Sequence, residues 1–407
     1  VEEAQGSRAP TQRFVDQFAK VYTPVVFLFA LAIAIVPPLF MAEPWYDWIY
    51  RALVLLVVAC PCALVISTPV TIVSGLAAAA RKGILVKGGV YLEIGGKLGF
   101  LALDKTGTIT HGKPVQTDYM PLVEQDSELY RTHAASLASR SDHPVSQAIA
   151  KHATENGLTF AAVEGFEALL GRGVRGTIEG IDFHLGNHRL VEELGLCSSE
   201  LEATLERLER QGKTVVVLCN PQRAIALFAV ADTVKDSSRQ AIEELHALGV
   251  KTTMLTGDNP HTADAIAQQV GIDEARGNLL PVDKLQAIEA LQARGYVVGM
   301  VGDGINDAPA LAKSEIGFAM AAAGTDTAIE TADVALMDDD LRKIPAFIRL
   351  SQQTAVILKQ NIVLALGIKA LFLAITLTGQ ATMWMAVFAD MGVSLLVVFN
   401  GLRLLKK

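Results

Sequence analysis

Four stretches of the chain are long and apolar enough to cross a bilayer, which takes about 20 residues of helix. They run from Val21 to Phe40, Ile49 to Ser67 with its apolar run continuing to about Ala80, Asn361 to Gly379, and Met383 to Leu404. Short links join the first to the second and the third to the fourth, so the pattern predicts two membrane hairpins, 21–80 and 346–407. Between them lie about 280 residues of mixed polarity, room for two soluble domains. Near both ends of this insert, short apolar runs alternate with helical periodicity. Phe100 to Leu103 ends at Asp104, Thr252 to Leu255 ends at Thr256-Gly257-Asp258, and Tyr296 to Val301 ends at Gly302-Asp303. Helical patterns lie at Arg239 to Leu248, Thr262 to Val270 and Asp283 to Arg294. Strands alternating with helices predict a parallel, doubly wound sheet with its ligands at the carboxyl ends of the strands. The middle of the insert differs, with a helix near His143, glycine-rich turns at Gly171 to Gly180 and strands near Val215 and Ala226. It reads as a second domain, 121–229, inserted into the first, 81–120 and 230–345.

Composition strengthens the membrane reading, with 51% hydrophobic and 19% charged residues among 407 and a mean hydropathy of +0.35. A net charge of -8 gives no general basic surface for phosphate backbones and argues against nucleic acid as a partner. Four cysteines, two of them one residue apart, do not make a disulfide framework and point to a reducing compartment. Arg8, Arg13 and Lys20 precede the first span, Arg81, Lys82 and Lys87 follow the second, and Arg403, Lys406 and Lys407 end the chain. By the positive-inside rule the termini and the large insert face the cytoplasm of a multi-pass protein surrounded by lipid, with Arg51 dissenting on the outer side. The chain starts at Val1 with no signal-peptide pattern, as expected of the C-terminal part of something longer.

Chemistry concentrates where the strands end. In Asp104-Lys105-Thr106-Gly107-Thr108, a carboxylate placed directly after a buried strand can attack a terminal phosphate and become an aspartyl phosphate. Bringing two anions together requires metal and cationic help. Asp303 and Asp307 of Gly302-Asp303-Gly304-Ile305-Asn306-Asp307 are placed to hold Mg2+, and Lys284 and Thr256 to hold phosphate oxygens. Three acidic motifs ending three strands of one sheet need a common reason.

These residues, with Thr256-Gly257-Asp258-Asn259 and Asp307-Ala308-Pro309, resemble the P-type ATPases. The resemblance implies an aspartate-nucleophile phosphorylation domain of haloacid-dehalogenase-like type. Asp104 is its ATP-phosphorylated nucleophile, Lys105, Thr106, Thr256, Gly257, Asp258 and Lys284 stand around it, and Asp104, Thr106, Asp303 and Asp307 hold Mg2+. Thr106 separates the chain from phosphatases of the wider superfamily, which usually carry a second Asp there as general acid and base. The phosphoenzyme should therefore persist.

In the inserted domain, Ser141-Asp142-His143-Pro144 and the glycines Gly171, Gly173 and Gly176 resemble the nucleotide-binding domain of the heavy-metal branch. His143 and Pro144 are expected beside adenine, with Gly171 and Gly173 letting backbone approach ATP. That branch commonly has a Glu five residues before the His, where this chain has Ala138; Glu164 is a candidate substitute.

Cys60-Pro61-Cys62 falls inside the second span. Proline frees backbone carbonyls that must be satisfied by protein, water or an ion, and two flanking thiols suit a soft metal. Asp390 and Lys369, each costly in hydrocarbon, fall within the last two spans. Asp390 is placed to complete a shell with Cys60 and Cys62, and Lys369 to pair with Asp390 when the metal has left. The motif marks the heavy-metal branch, and Lys369 with Asp390-Met391-Gly392 resembles its exporters of Zn2+, Cd2+ or Pb2+. The expectation is an ATP-driven divalent-metal exporter of a bacterial inner or plasma membrane. The alternatives are a membrane-tethered aspartate-nucleophile phosphatase and a non-catalytic membrane metal sensor.

Relatives of this branch add an actuator domain with Thr-Gly-Glu, a tripeptide absent from these 407 residues. Residues 1–20 read as the tail of such a domain, and the chain alone is expected to bind ATP and not to pump. Cys197 and Cys219 read as structural. His184 and His188, separated by Gly186 and Asn187, do not read as one helical pair, and Asp338-Asp339-Asp340 reads as a solvated helix start.

Overall fold

The computed structural model describes residues 10–41, 43–123, 125–258, 260–302, 307–321, 326–377 and 381–406. Two pairs of apolar helices carry an insert built on two sheets. The membrane helices are Pro10–Met41, Trp45–Ala59 continued after a break by Cys62–Arg81, Lys343–Leu377 and Met383–Leu402. Among the described residues four helical segments are long and apolar enough to cross a membrane. Many of their Leu, Val and Phe side chains are exposed, such as Phe29, Phe388 and Phe399, as expected of surfaces that face lipid.

The helix Lys343–Leu377 outruns its apolar stretch. Its 35 residues span about 50 Å, against a hydrocarbon core of about 30 Å. The surplus turns are anchored in the insert. Phe347 packs edge-on against Phe318 at 5.5 Å and Arg349 pairs with Glu244 at 2.7 Å. One rod therefore joins the first sheet to the membrane.

The strands are β1 (Ile84–Val86), β2 (Phe100–Asp104), β3 (Thr110–Pro121), β4 (Glu164–Leu169), β5 (Gly173–Ile178), β6 (Ile181–Gly186), β7 (Thr214–Cys219), β8 (Ala224–Val234), β9 (Lys251–Leu255), β10 (Glu274–Arg276), β11 (Val298–Gly302), β12 (Ile316–Met320) and β13 (Val334–Leu336). The first sheet has the order β1-β13-β12-β11-β2-β9-β10, parallel except where β1 meets β13. β2 is buried on both faces: Leu101 and Leu103 pack into one apolar cluster and Phe100 and Ala102 into the other. That is why its sequence is a continuous apolar run and not an alternation. The fold class read from the pattern holds: membrane helices with a haloacid-dehalogenase-like α/β sheet and an inserted α+β sheet.

The inserted sheet is antiparallel, in the order β3-β8-β7-β6-β5-β4. Here the period is two. Val215, Val217 and Cys219 of β7 face the helices His188–Glu193 and Ser199–Glu209, and Leu218 faces the helices Ser127–Ala138 and Pro144–Glu155. β4 to β6 were not foreseen beyond their glycine turns, because β4, Glu-Gly-Phe-Glu-Ala-Leu, has no buried residue to set a pattern. The acidic run is also placed differently. Asp338, Asp339 and Asp340 form the turn before the helix that begins at Lys343, with Asp339 left-handed at φ 54°. Asp340 accepts from the Arg342 backbone at 3.0 Å and Asp338 pairs with Lys343 at 2.6 Å, so the charges close a turn ahead of the helix.

His133 lies in this domain's core at 4% exposure, its ring 4.9 Å from that of Phe183, with no hydrogen-bond partner at either nitrogen. Burial pushes its imidazole below the usual value, against a smaller opposing pull from Glu179. An unfolded histidine takes its proton near pH 6.5, whereas the folded one resists until lower pH. The stability from a neutral His133 is whole above about pH 6.5 and is lost as the pH falls through the lower folded value. Thermal unfolding at pH 7.5 and pH 5.5 should show a larger acid loss in the natural chain than in His133→Phe.

Candidate functional site

β2 lies between β11 and β9, with Leu103 level with Val301 and Asp104 level with Leu255. The carboxyl ends of these three strands therefore lie around one point, the Asp104 carboxyl. Asp104 is 7% exposed, and its Oδ2 accepts the Thr106 backbone N–H at 3.0 Å. Lys284, from the helix Pro281–Ala293, places its Nζ 2.5 Å from Asp104 Oδ1 and 2.8 Å from Asp307 Oδ1. All three are less than a tenth exposed. Burial works to lower the Lys284 ammonium, but the Asp104 and Asp307 carboxylates outweigh it and hold it above the usual lysine value.

The flanking groups form a second ion pair, Lys105 Nζ to Asp258 at 2.8 Å. The Thr256 hydroxyl accepts the Asp258 backbone N–H at 3.2 Å, and Gly257 lies in the turn between them. Asp303 and Asn259, singled out in the sequence, lie outside the described residues. The loop after Asp104 turns on Gly107, at φ 71°, a left-handed conformation that costs glycine little. Three contacts absent from the sequence reading clamp it: Lys235 Nζ donates to Gly107 O at 2.6 Å, Ser238 Oγ to Ile109 O at 2.8 Å, and Thr110 Oγ1 to Asp232 at 2.5 Å. A polar trio at the junction of β8 with the helix Asp236–Ala247 was the available signal.

His143 caps the helix Pro144–Glu155, its Nδ1 accepting from Val145 N–H at 3.3 Å, with Pro144 as first helical residue. Both are exposed. Gly171 and Gly173 form the β4–β5 turn, toward the sheet edge opposite β3 and β8, on which the His143 helix packs. Among the described residues no hydrogen bond joins the two features. Gly173 sits at φ 148°, and a Cβ there would strike Leu185 O. Gly171, at φ 68°, has open space. Gly173→Ala should therefore destabilise the folded chain by about 1–3 kcal/mol, and Gly171→Ala by less, measured by thermal unfolding. Ala138 is fully buried at a helix end and Glu164 opens β4.

In the membrane the second span breaks between Ala59 and Cys62, beside the carbonyls of Val58 and Cys60. Lys369 Nζ answers both, donating to Val58 O at 3.3 Å and to Cys60 O, and pairs with Asp390 Oδ1 at 3.0 Å. The reading of Cys60 and Cys62 as two separate thiols is corrected: in this structure they are bonded to each other. The Pro61 break brings their Cα atoms to 5.5 Å, within the span a disulfide closes. Beside the break a cavity of about 190 Å³ is lined by Phe18, Tyr22, Pro61 and Lys369 among others.

Residues 100–314, more than half of the chain, match the model of the haloacid dehalogenase-like hydrolases. The chain belongs to that family. Along its whole length it is similar to a probable cadmium-transporting ATPase of Staphylococcus aureus strain MRSA252, with 49% identity and 57% of that relative covered. It is 43% identical to a zinc/cadmium/lead-transporting P-type ATPase of Escherichia coli K12, of whose length it covers 54%. The crystal structure of a zinc-transporting PIB-type ATPase in the E2.Pi state superposes on it with a TM-score of 0.88 at 43% identity, covering 99% of this chain and 66% of that one. The chain thus spans a little over half the length of the curated relatives it matches.

Proposed function

We propose that this chain is the catalytic and metal-binding part of an ATP-driven exporter of Zn2+, Cd2+ or Pb2+, its insert and termini cytoplasmic and its N-terminal partner half carrying the actuator domain. Residues 81–120 and 230–345 serve as the phosphorylation domain and 121–229 as the nucleotide-binding domain. The observation that carries the reading is Lys369, which joins the carbonyl of Cys60 to Asp390 inside a membrane whose long helix begins in the phosphorylation sheet. A phosphatase merely tethered to lipid has no use for that arrangement.

An Asp104 carboxylate oxygen attacks the γ-phosphorus of ATP, an aspartyl–phosphate bond forms, the bridging bond to the β-phosphate breaks and ADP leaves. Lys284 keeps Asp104 ionised and orients it, and Thr256 and Lys105 meet the phosphoryl oxygens. The buried oxygen donors Asp104 and Asp307, with a net negative charge that one lysine only partly offsets, fit Mg2+. When bound, Mg2+ neutralises charge on the transferred group. His143, Pro144, Gly171 and Gly173 receive the nucleotide, and the N-domain closes onto Asp104. In the membrane, Cys60 and Cys62 in reduced form take the transported ion together with Asp390, and Lys369 replaces it on Asp390 after release. Thiolate with carboxylate suits a borderline divalent ion.

The test is phosphorylation from γ-labelled ATP, on this chain and on the chain joined to its N-terminal half. An acid-stable label that is lost in Asp104→Asn, rises with Zn2+ or Cd2+ and stops responding in Cys60→Ala is the expected result. A label indifferent to metal and to Cys60 would remove the transport reading and leave only the phosphoryl chemistry.

A further inference from the structure

One cysteine–histidine contact lies outside the two sites described above, on the outer helices of the inserted domain. The helix His188–Glu193 ends in a turn in which Gly195, at φ 68°, reverses the chain and Leu196 N–H bonds back to Val191 O at 3.0 Å. The reversal returns Cys197 over the first turn of that helix. Its Sγ lies 3.4 Å from His188 Nε2. Glu192, one helical turn beyond His188, brings Oε1 to 3.8 Å from the same nitrogen.

We propose that Cys197, His188 and Glu192 form a peripheral site for a thiophilic divalent cation such as Zn2+ or Cd2+. At usual zinc bond lengths, sulfur and nitrogen donors on a tetrahedral ion stand about 3.5 Å apart, so the first two donors are already in place. Glu192 is 58% exposed and reaches the third position by a side-chain rotation, leaving the fourth to water. His188 at 24% and the half-buried Cys197 are held by packing yet open to solvent, as a site that loads from solution requires. The reading of both remaining cysteines as structural is thus divided. Cys219 is 1% exposed in the apolar sheet, its thiol pushed up to about 12 by burial, and makes no ligand. Cys197 faces His188, and burial first, with the negative field of Glu202 and Glu192 adding to it, pushes its thiol above the usual value. The same short helix supports the glycine turn: its cap Asn187 donates Nδ2–H to Gly171 O at 3.0 Å, and Glu193 pairs with Arg172 at 2.5 Å. A cation fixed to His188 is therefore bonded into the frame of that turn.

The experiment uses the full chain in detergent, reduced, with Cys60→Ala and Cys62→Ala removing the intramembrane thiols. Titrated with Cd2+ alone, this background is expected to bind about one equivalent with thiolate-to-cadmium absorption in the ultraviolet, and to gain thermal stability from it. Adding Cys197→Ser should abolish the absorption and the stabilisation while leaving the metal-free melting temperature unchanged, and His188→Gln should weaken binding at least about tenfold. An absorption that is absent from the background, or that survives Cys197→Ser, overturns the site and leaves the intramembrane reading untouched.

Discussion

Lys284→Met is expected to slow labelling of Asp104 by a hundredfold or more at neutral pH, about the loss that follows removal of one preorganised electrostatic partner from a buried site. The lysine is buried between two carboxylates, 2.5 Å from one and 2.8 Å from the other. Without it Asp104 and Asp307 face each other with less counter-charge, and one of them takes up a proton. A protonated Asp104 is no nucleophile. The variant should therefore recover part of its labelling as the pH is raised, whereas the natural chain, whose carboxylate is already ionised, should respond little over the same range. Removing one partner of a buried ionic cluster also costs stability, about 3–5 kcal/mol in other proteins, so folding must be followed beside the label. Lys284→Arg keeps the charge, and its melting temperature separates a lost charge from a lost fold. Labelling of Lys284→Met at the natural rate and with a flat pH profile would deny Lys284 its role.

The convergence of residues on Asp104 was legible because its geometry is dictated locally. A parallel strand buried on both faces must be a continuous apolar run, and the residue after it must emerge at the ligand edge of the sheet. Asp104, Thr256 and Gly302 each obey that rule. Lys284 was placed there as a cation for phosphate oxygens, but its bridging of Asp104 to Asp307 depends on how the helix Pro281–Ala293 packs, which spacing alone does not give. The clamp by Lys235, Ser238 and Asp232 was missed for the same reason: each side chain reaches across more than 100 positions of sequence to a backbone or hydroxyl group. The Cys197–His188 contact was invisible because it depends on one left-handed glycine, Gly195, which returns the chain over its own helix. The membrane pair was the reverse case. Lys369 and Asp390 could be matched from sequence because hydrocarbon leaves an ionised side chain so few partners.

That pair supplies the second large effect. A lysine at the centre of a membrane helix costs about 2.5–3.5 kcal/mol on insertion scales, and Lys369 offsets it with Asp390 and with the carbonyls of Val58 and Cys60 at the break. Lys369→Met leaves Asp390 without its partner, and Asp390→Asn leaves Lys369 with carbonyls only. Each single variant should lower the melting temperature of the detergent-solubilised chain, and the double variant should recover a substantial part of the loss, because the term each single change forfeits is the same one. Metal binding separates the two roles. Asp390→Asn removes an anionic donor and should weaken Cd2+ binding to the reduced chain at least about tenfold. Lys369→Met removes the cation that competes for that donor, so it should bind Cd2+ at least as tightly as the natural chain. In the chain joined to its N-terminal half, Lys369→Met should then label in response to metal yet turn over slowly, since nothing displaces the ion from Asp390. Additive losses of stability in the double variant would show that the two side chains act apart, and weaker Cd2+ binding in Lys369→Met would show that the lysine supports the ion and does not replace it.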